Sequence, residues 1–210
     1  MSAWLSNLAL VMALIGYYVT WINHPTAALS ANAFDLAEWV GIIPAVRYAE
    51  PPMSAPFALR AALVCLAWLF ALRSAAAERL AMRVMFGVIS LALALSLRPP
   101  IAFFRGETAD PNYQQLAALC LTALIGVVIL SLISWHSSAR RVSLWLAPPL
   151  ALIGAVSAVL GLRGALEALA RLQIATPLGA GVFLYLIGTG LHGALCTWLI
   201  LRAQRAMLGM

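Results

Sequence analysis

The sequence predicts an all-α, polytopic membrane bundle of six transmembrane helices, with a short interfacial helix in the first outer loop. Three observations predict it. Of 210 residues, 64% are hydrophobic and 10% charged, and the mean hydropathy is +0.96. Soluble domains run near half apolar and a quarter charged, so an ordinary soluble fold is excluded. Six apolar runs are each long enough to cross a hydrocarbon slab ~30 Å thick at ~1.5 Å per residue. The formal net charge of +6 falls on one side of those crossings.

The runs cover residues 3–22, 55–75, 81–97, 115–135, 144–162 and 178–201, and together they make residues 1–210 a single transmembrane domain. Met1 to Ile22 lacks the basic n-region of a secretory signal, so a retained first span is expected. Arg73, Glu78, Arg79 and Arg83 interrupt the long apolar stretch from Leu59 to Leu97 and divide it into the second and third spans. Pro51-Pro52, Pro99-Pro100 and Pro148-Pro149 are expected near span boundaries, where a missing N–H is tolerated. Asp110-Pro111 reads as the cap and first helical residue of the fourth span. Phe103 and Phe104, between Arg98 and Arg105, read as an interfacial aromatic patch.

All thirteen basic residues are Arg. They stand singly or in pairs beside apolar runs, the pattern of interfacial anchors, which argues against nucleic acid as a partner. An even number of crossings puts both termini on one side, with Arg73, Arg79, Arg83, Arg140, Arg141, Arg202 and Arg205 against Glu78 alone. The other side carries six Arg and six acids. The positive-inside rule then sets both termini in the cytoplasm, in a bacterial inner membrane. Connections on the inner side are tight and those outside are longer, so a recognition surface is expected outside. Cys65, Cys120 and Cys196 lie inside apolar runs at irregular spacing and read as small core hydrophobes.

In the first outer loop, Asn32 to Trp39 reads as a short helix, with Asn32 as N-cap and Asp35 in the capping-box position. Gly41 and Pro44 end it. Leu36, Val40 and Ile43 share one face and Asp35 and Glu38 another, as in a segment lying flat at the water boundary with Trp39 in the headgroup layer. It serves either as an amphipathic lid over the bundle or, through Asp35, Glu38, Trp39 and Arg60, as a docking surface for a neighbouring subunit. Arg60 lies about 18 Å of helix from Arg73, less than the slab thickness, so one of the two must snorkel or be neutralised below the surface. Asp35, Glu38 or Glu50 could reach Arg60, although snorkelling to lipid phosphate is the simpler expectation.

His192 is the strongly polar titratable residue well inside a span, expected near mid-membrane. Gly181, Tyr185, Gly188, His192 and Cys196 fall on one helix face and form a groove of small residues beside the imidazole. Gly188-x-x-x-His192 resembles the small-x-x-x-His pattern by which light-harvesting helices ligate a chlorophyll-type pigment. That resemblance implies a pigment or lipid groove at His192, Gly188 and Tyr185. A hydrogen bond from His192 to a neighbouring helix or subunit is the plainer expectation. His24 and His136 belong at the outer and inner interfaces, away from the depth of His192, so a bis-His haem is disfavoured.

The apolar runs contain no Asp or Glu, which disfavours proton-coupled transport. Zinc-protease, serine-hydrolase, paired intramembrane Asp and Walker-type motifs are missing from the sequence, so an enzyme is not expected. Two functions remain. One is a non-catalytic accessory subunit of a larger membrane complex, holding lipid, quinone, carotenoid or pigment at a subunit seam such as Gly154-x-x-x-Ala158. The other is a stand-alone carrier for a neutral or lipidic small molecule. Asn32 to Trp39, followed by Pro44, Arg47 and Pro51-Pro52, resembles a stretch of small polytopic membrane proteins of filamentous phototrophic bacteria. Those hold accessory positions in electron-transfer assemblies such as the quinol-oxidising alternative complex III. The resemblance covers about twenty residues. It implies other membrane subunits as partners, an electron-transfer setting, and no redox centre or metal of the chain's own.

Overall fold

A computed structural model describes residues 2–23, 30–133 and 139–207, and these residues are mostly helical, without strands. The helices are α1 (Ser2–Tyr18), α2 (Ala33–Gly41), α3 (Pro44–Arg47), α4 (Ser54–Ala76), α5 (Leu80–Ser96), α6 (Ile101–Phe104), α7 (Pro111–Ile133), α8 (Ala139–Arg171) and α9 (Ala180–Met207). Among the described residues four helices, α4, α7, α8 and α9, are long and apolar enough to cross a membrane. α1 and α5 are apolar but only 17 residues each, about 25 Å, so six full-length spans are not what the helix lengths give.

α4 is the hub. Its apolar stretch is 78% buried, against about a third for the other long helices, because α1, α5, α7 and α8 pack around it and α2 crosses its lid end. Hydrogen bonds between a side chain and a helix carbonyl link α1, α5, α7, α8 and α9 to α4. Tyr17 of α1 donates to Leu59 O (3.1 Å), Tyr185 of α9 to Ala62 O (3.1 Å), Ser90 of α5 to Ala67 O (2.8 Å) and Ser143 of α8 to Leu72 O (3.0 Å). In the opposite sense, Trp68 of α4 donates to Ala123 O of α7 (3.1 Å). Lipid offers no hydrophobic force between helices, so such bonds and close packing must hold them together. Tyr185→Phe is expected to lower stability by about 1 kcal/mol, the net worth of one such bond, in thermal unfolding followed by circular dichroism.

Small residues set the approach distances. α8 lays Gly154, Gly161 and Gly164 against α4: a Cβ at Gly154 would stand 3.1 Å from Cys65 Cβ, and one at Gly161 2.7 Å from the backbone N of Leu59. The Gly154-x-x-x-Ala158 seam expected to receive another subunit is therefore used up inside the chain. The perimeter is apolar all round, with Leu80, Val88, Leu121, Val128, Leu152 and Ile187 among its exposed side chains.

The boundaries move for local reasons. The helices at the second and third predicted spans, α4 and α5, match the predicted limits within a residue. The first helix stops at Tyr18, not at Ile22, because Trp21 turns back to donate to Gly16 O (2.8 Å) while Ile22 bridges to Ala31 and Leu178. α7 starts at Pro111, where Asp110 caps the N–H of Asn112 at 2.8 Å, as the Asp-Pro pair predicts. α8 runs well past its predicted limits at both ends, about 50 Å in all, and α9 continues to Met207. The outer loop predicted from Arg163 is thus helix as far as Arg171, sealed by the buried Ala165, Ala168 and Leu169. Pro148 and Pro149 lie inside α8, not at its edge. The predicted interfacial positions of His24 and His136 lie outside the described residues.

Candidate functional site

Two polar constellations stand out. The first is at the lid end. Asn32 caps α2 by accepting from the N–H groups of Phe34 (2.9 Å) and Asp35 (3.0 Å), and its own amide donates to the Asp35 carboxylate at 2.7 Å. The cap fixes the start of α2, and the buried Leu36, Ala37 and Val40 press it onto the bundle. Glu38 then projects toward α4, where Arg60 is wholly buried at 0% exposure. Arg60 donates to Glu38 (2.6 Å), Asn112 (2.7 Å) and Gln115 (2.8 Å). Asn112 also donates to the second Glu38 oxygen at 3.3 Å, and Gln115 donates to Met53 O at 3.2 Å. One guanidinium therefore joins α2, α4 and α7.

Snorkelling to lipid is not the solution Arg60 adopts. A buried cation is tolerated because its charge is paired and its two terminal nitrogens donate to fixed acceptors, although Nε is buried without a hydrogen-bond partner. Of the three acids within predicted reach, Glu38 is the partner, while Asp35 stays with its cap. Asn112 and Gln115 are partners that the sequence does not announce. Their signal is nevertheless present: two amides three residues apart, in the turn before the buried Leu116 and Leu119, share a helix face. A second pin joins Arg47 of α3 to Asp110 at 2.6 Å, and that hydrogen-bonded carboxylate raises the Arg47 guanidinium above its ordinary value. Trp39 stands 45% exposed.

The second constellation lies at the end where α1 begins and α9 finishes. Here His192 Nδ1 sits 2.9 Å from Ser6 Oγ and 3.2 Å from Ser6 O, and His192 Nε2 is 3.8 Å from Cys196 Sγ. Ser6 is four residues from the start of α1, whereas His192 stands near the middle of α9, twelve residues after Ala180 and fifteen before Met207. A cavity of about 140 Å³ opens beside the imidazole, lined by Ser6, Arg73, Ser143, His192 and Cys196 together with apolar side chains such as Leu72. Asn7 accepts a hydrogen bond from Arg73 Nε at its rim.

The groove expected along Gly181, Tyr185 and Gly188 is occupied by α1. A Cβ at Gly188 would stand 2.5 Å from Ala13 N, and one at Gly16 of α1 would stand 2.2 Å from Tyr185 N. Tyr185 itself, buried, turns its hydroxyl to α4 and stacks edge-on with Tyr17 at 5.9 Å. No macrocycle has room at Gly188. Of the three residues assigned to that groove, only His192 borders open space. Among the described residues no group of three His, Cys, Asp or Glu side chains is placed to hold a metal ion.

Fold and sites together define a helical protein with four helices fit to cross a membrane, clamped by a buried ion pair at one end and hollowed at the other. No protein-family model matches the chain, nor does any curated protein or solved structure.

Proposed function

We propose that the chain is a six-crossing bacterial inner-membrane protein with both termini in the cytoplasm, serving as a non-catalytic accessory subunit of a multi-subunit electron-transfer complex. α1 and α5 complete the six crossings. Each is at the short limit for a span but packs along a longer helix, α1 on α9 and α5 on α4. The observation that carries the subunit reading is the use of Arg60 and Glu38. The most deeply drawn charges of the lid end bond three elements of the chain to one another, which is work of scaffolding and not of turnover. The lid leaves Trp39 outward as a contact for a neighbour. The electron-transfer setting rests on the resemblance of the segment from Asn32 to Pro52.

A tagged chain extracted in mild detergent is expected to bring down redox subunits in fixed stoichiometry by mass spectrometry, with the absorption spectrum of their pigments or haem. A single colourless polypeptide would overturn the subunit reading. It would favour the second one, a carrier for a neutral or lipidic small molecule, which the cavity beside His192 supports.

A further inference from the structure

We propose that His192 Nε2 and Cys196 Sγ form a binding site for a soft monovalent metal ion, Cu(I), on the wall of the cavity between α1, α4, α8 and α9. The site goes beyond the subunit reading and does not depend on it.

The two ligands stand four residues apart on α9, about one helical turn, and so share a face. Both are buried, and both border the cavity of about 140 Å³, which has room for an ion and several waters. His192 Nε2 lies 3.8 Å from Cys196 Sγ. Bonds of ~2.0 Å to nitrogen and ~2.3 Å to sulfur, as around zinc, set two such donors ~3.8 Å apart when they meet at ~120°. The pair is therefore already spaced as two corners of a trigonal ion, and the third corner is left to a small ligand from the cavity.

The imidazole is prepared for a metal. Its other nitrogen, Nδ1, lies 3.2 Å from Ser6 O and 2.9 Å from Ser6 Oγ. A carbonyl only accepts, so the bond to Ser6 O puts the ring proton on Nδ1 and leaves a lone pair on Nε2. Metal-ligating histidines almost always donate their second N–H in this way, to a backbone carbonyl or a carboxylate, which fixes ring and tautomer. Within the described chain, the group facing that lone pair is the weak S–H donor of Cys196.

The chemistry of the pair selects the ion. Thiolate is a ligand of soft metals, and imidazole joins it readily. Among the described residues no third His, Cys, Asp or Glu completes a cage of the kind structural zinc requires, whereas Cu(I) is satisfied by fewer ligands. Binding breaks the S–H bond, forms a Cu–S bond and releases the proton to solvent. Thiolate, neutral imidazole and Cu(I) then sum to zero charge. A divalent ion would leave a net positive charge against walls that hold no carboxylate among the described residues, and an unpaired buried charge is costly.

The test uses the untagged full chain in detergent, without oxygen and with ascorbate. Cu(I) is presented as its bicinchoninate complex, and loss of that complex's colour is followed. Wild type is expected to withdraw one equivalent and to leave Zn(II) at the same concentration in solution. His192→Asn and Cys196→Ser should each weaken uptake by at least about 100-fold, since losing only the group that supports a ligand already costs ~10–100-fold. Cys120→Ser, on α7, should leave it unchanged. No uptake, uptake indifferent to either substitution on α9, or equal uptake of Zn(II) would overturn the proposal.

Copper-edge X-ray absorption of the loaded wild type needs no variant, and so decides the matter if a substituted chain does not fold. One sulfur at ~2.3 Å with one imidazole nitrogen at ~2.0 Å supports the site. A shell of sulfur alone or nitrogen alone refutes it.

Discussion

Glu38→Ala is expected to destabilise the protein by about 3 kcal/mol, toward the lower end of what breaking a buried ion pair costs. The penalty comes from Arg60, which stays wholly buried with two neutral amides in place of a carboxylate. It falls at the lower end because the Glu38 side chain is 38% exposed and water already screens part of the attraction. Arg60→Met should cost less than half as much. The alkyl chain fills the same channel, and the released Glu38 turns toward water. The double substitution Glu38→Ala/Arg60→Met is therefore expected to be more stable than Glu38→Ala alone. Thermal unfolding followed by circular dichroism over the four proteins of the cycle measures this. Additive losses would mean that the two side chains do not act as a pair.

The second large effect belongs to the crossing of α1 and α9. Gly16→Ala is expected to cost about 2–3 kcal/mol, the range for forcing extra atoms into a close-packed seam. The new Cβ would meet Tyr185 N at 2.2 Å and Leu184 C at 2.7 Å. These are backbone atoms, which cannot swing away as a side chain does, so the two helices must part. Parting them also draws Ser6 from His192. Gly190→Ala, two residues from Gly188, is the control: a Cβ there would meet nothing within 4 Å, and the substitution should be neutral or slightly stabilising. Melting temperatures of the two variants in one detergent separate a packing effect from a change in helix propensity. Equal melting temperatures would show that α1 and α9 are not held at this seam.

Much of the fold is legible because lipid imposes a coarse rule on sequence. Apolar runs locate the helices, and the Arg-Glu-Arg interruption at 73–83 divides α4 from α5, as observed. Asn32, Gly41 and Pro44 set the limits of α2 through local cap and turn chemistry, which needs no tertiary knowledge. What periodicity cannot say is which helix faces which. The glycine face of α9 and the Gly154 face of α8 are indeed places of close approach, but the visitor is the chain's own α1 and α4. An apolar helix reads alike whether it meets lipid or a sister helix, so the central position of α4 leaves no trace in hydropathy.

The site is half legible for the same reason. Depth arithmetic on Arg60 and Arg73 demands a neutralising group, and Glu38 supplies it. The amide partners on α7 come from more than fifty residues away, beyond what spacing reveals. His192 stands out in the sequence by its polarity within an apolar run. Its neighbours Ser6, Arg73 and Ser143 belong to three other helices, and only the packing of all four makes a cavity.

The clamp at Arg60 also bears on how the nascent chain can be inserted. When the helix bearing this cation leaves the ribosome, its carboxylate partner has been made already, twenty-two positions earlier, while the two amides have still to be translated. Neutralisation can thus begin within the emerging hairpin, and later segments add solvation to a charge that has already been met. Reversing the two residues, with glutamate at 60 and arginine at 38, would preserve that order of events, whereas moving the acid to the seventh helix would send an uncompensated cation into the translocon's lateral gate.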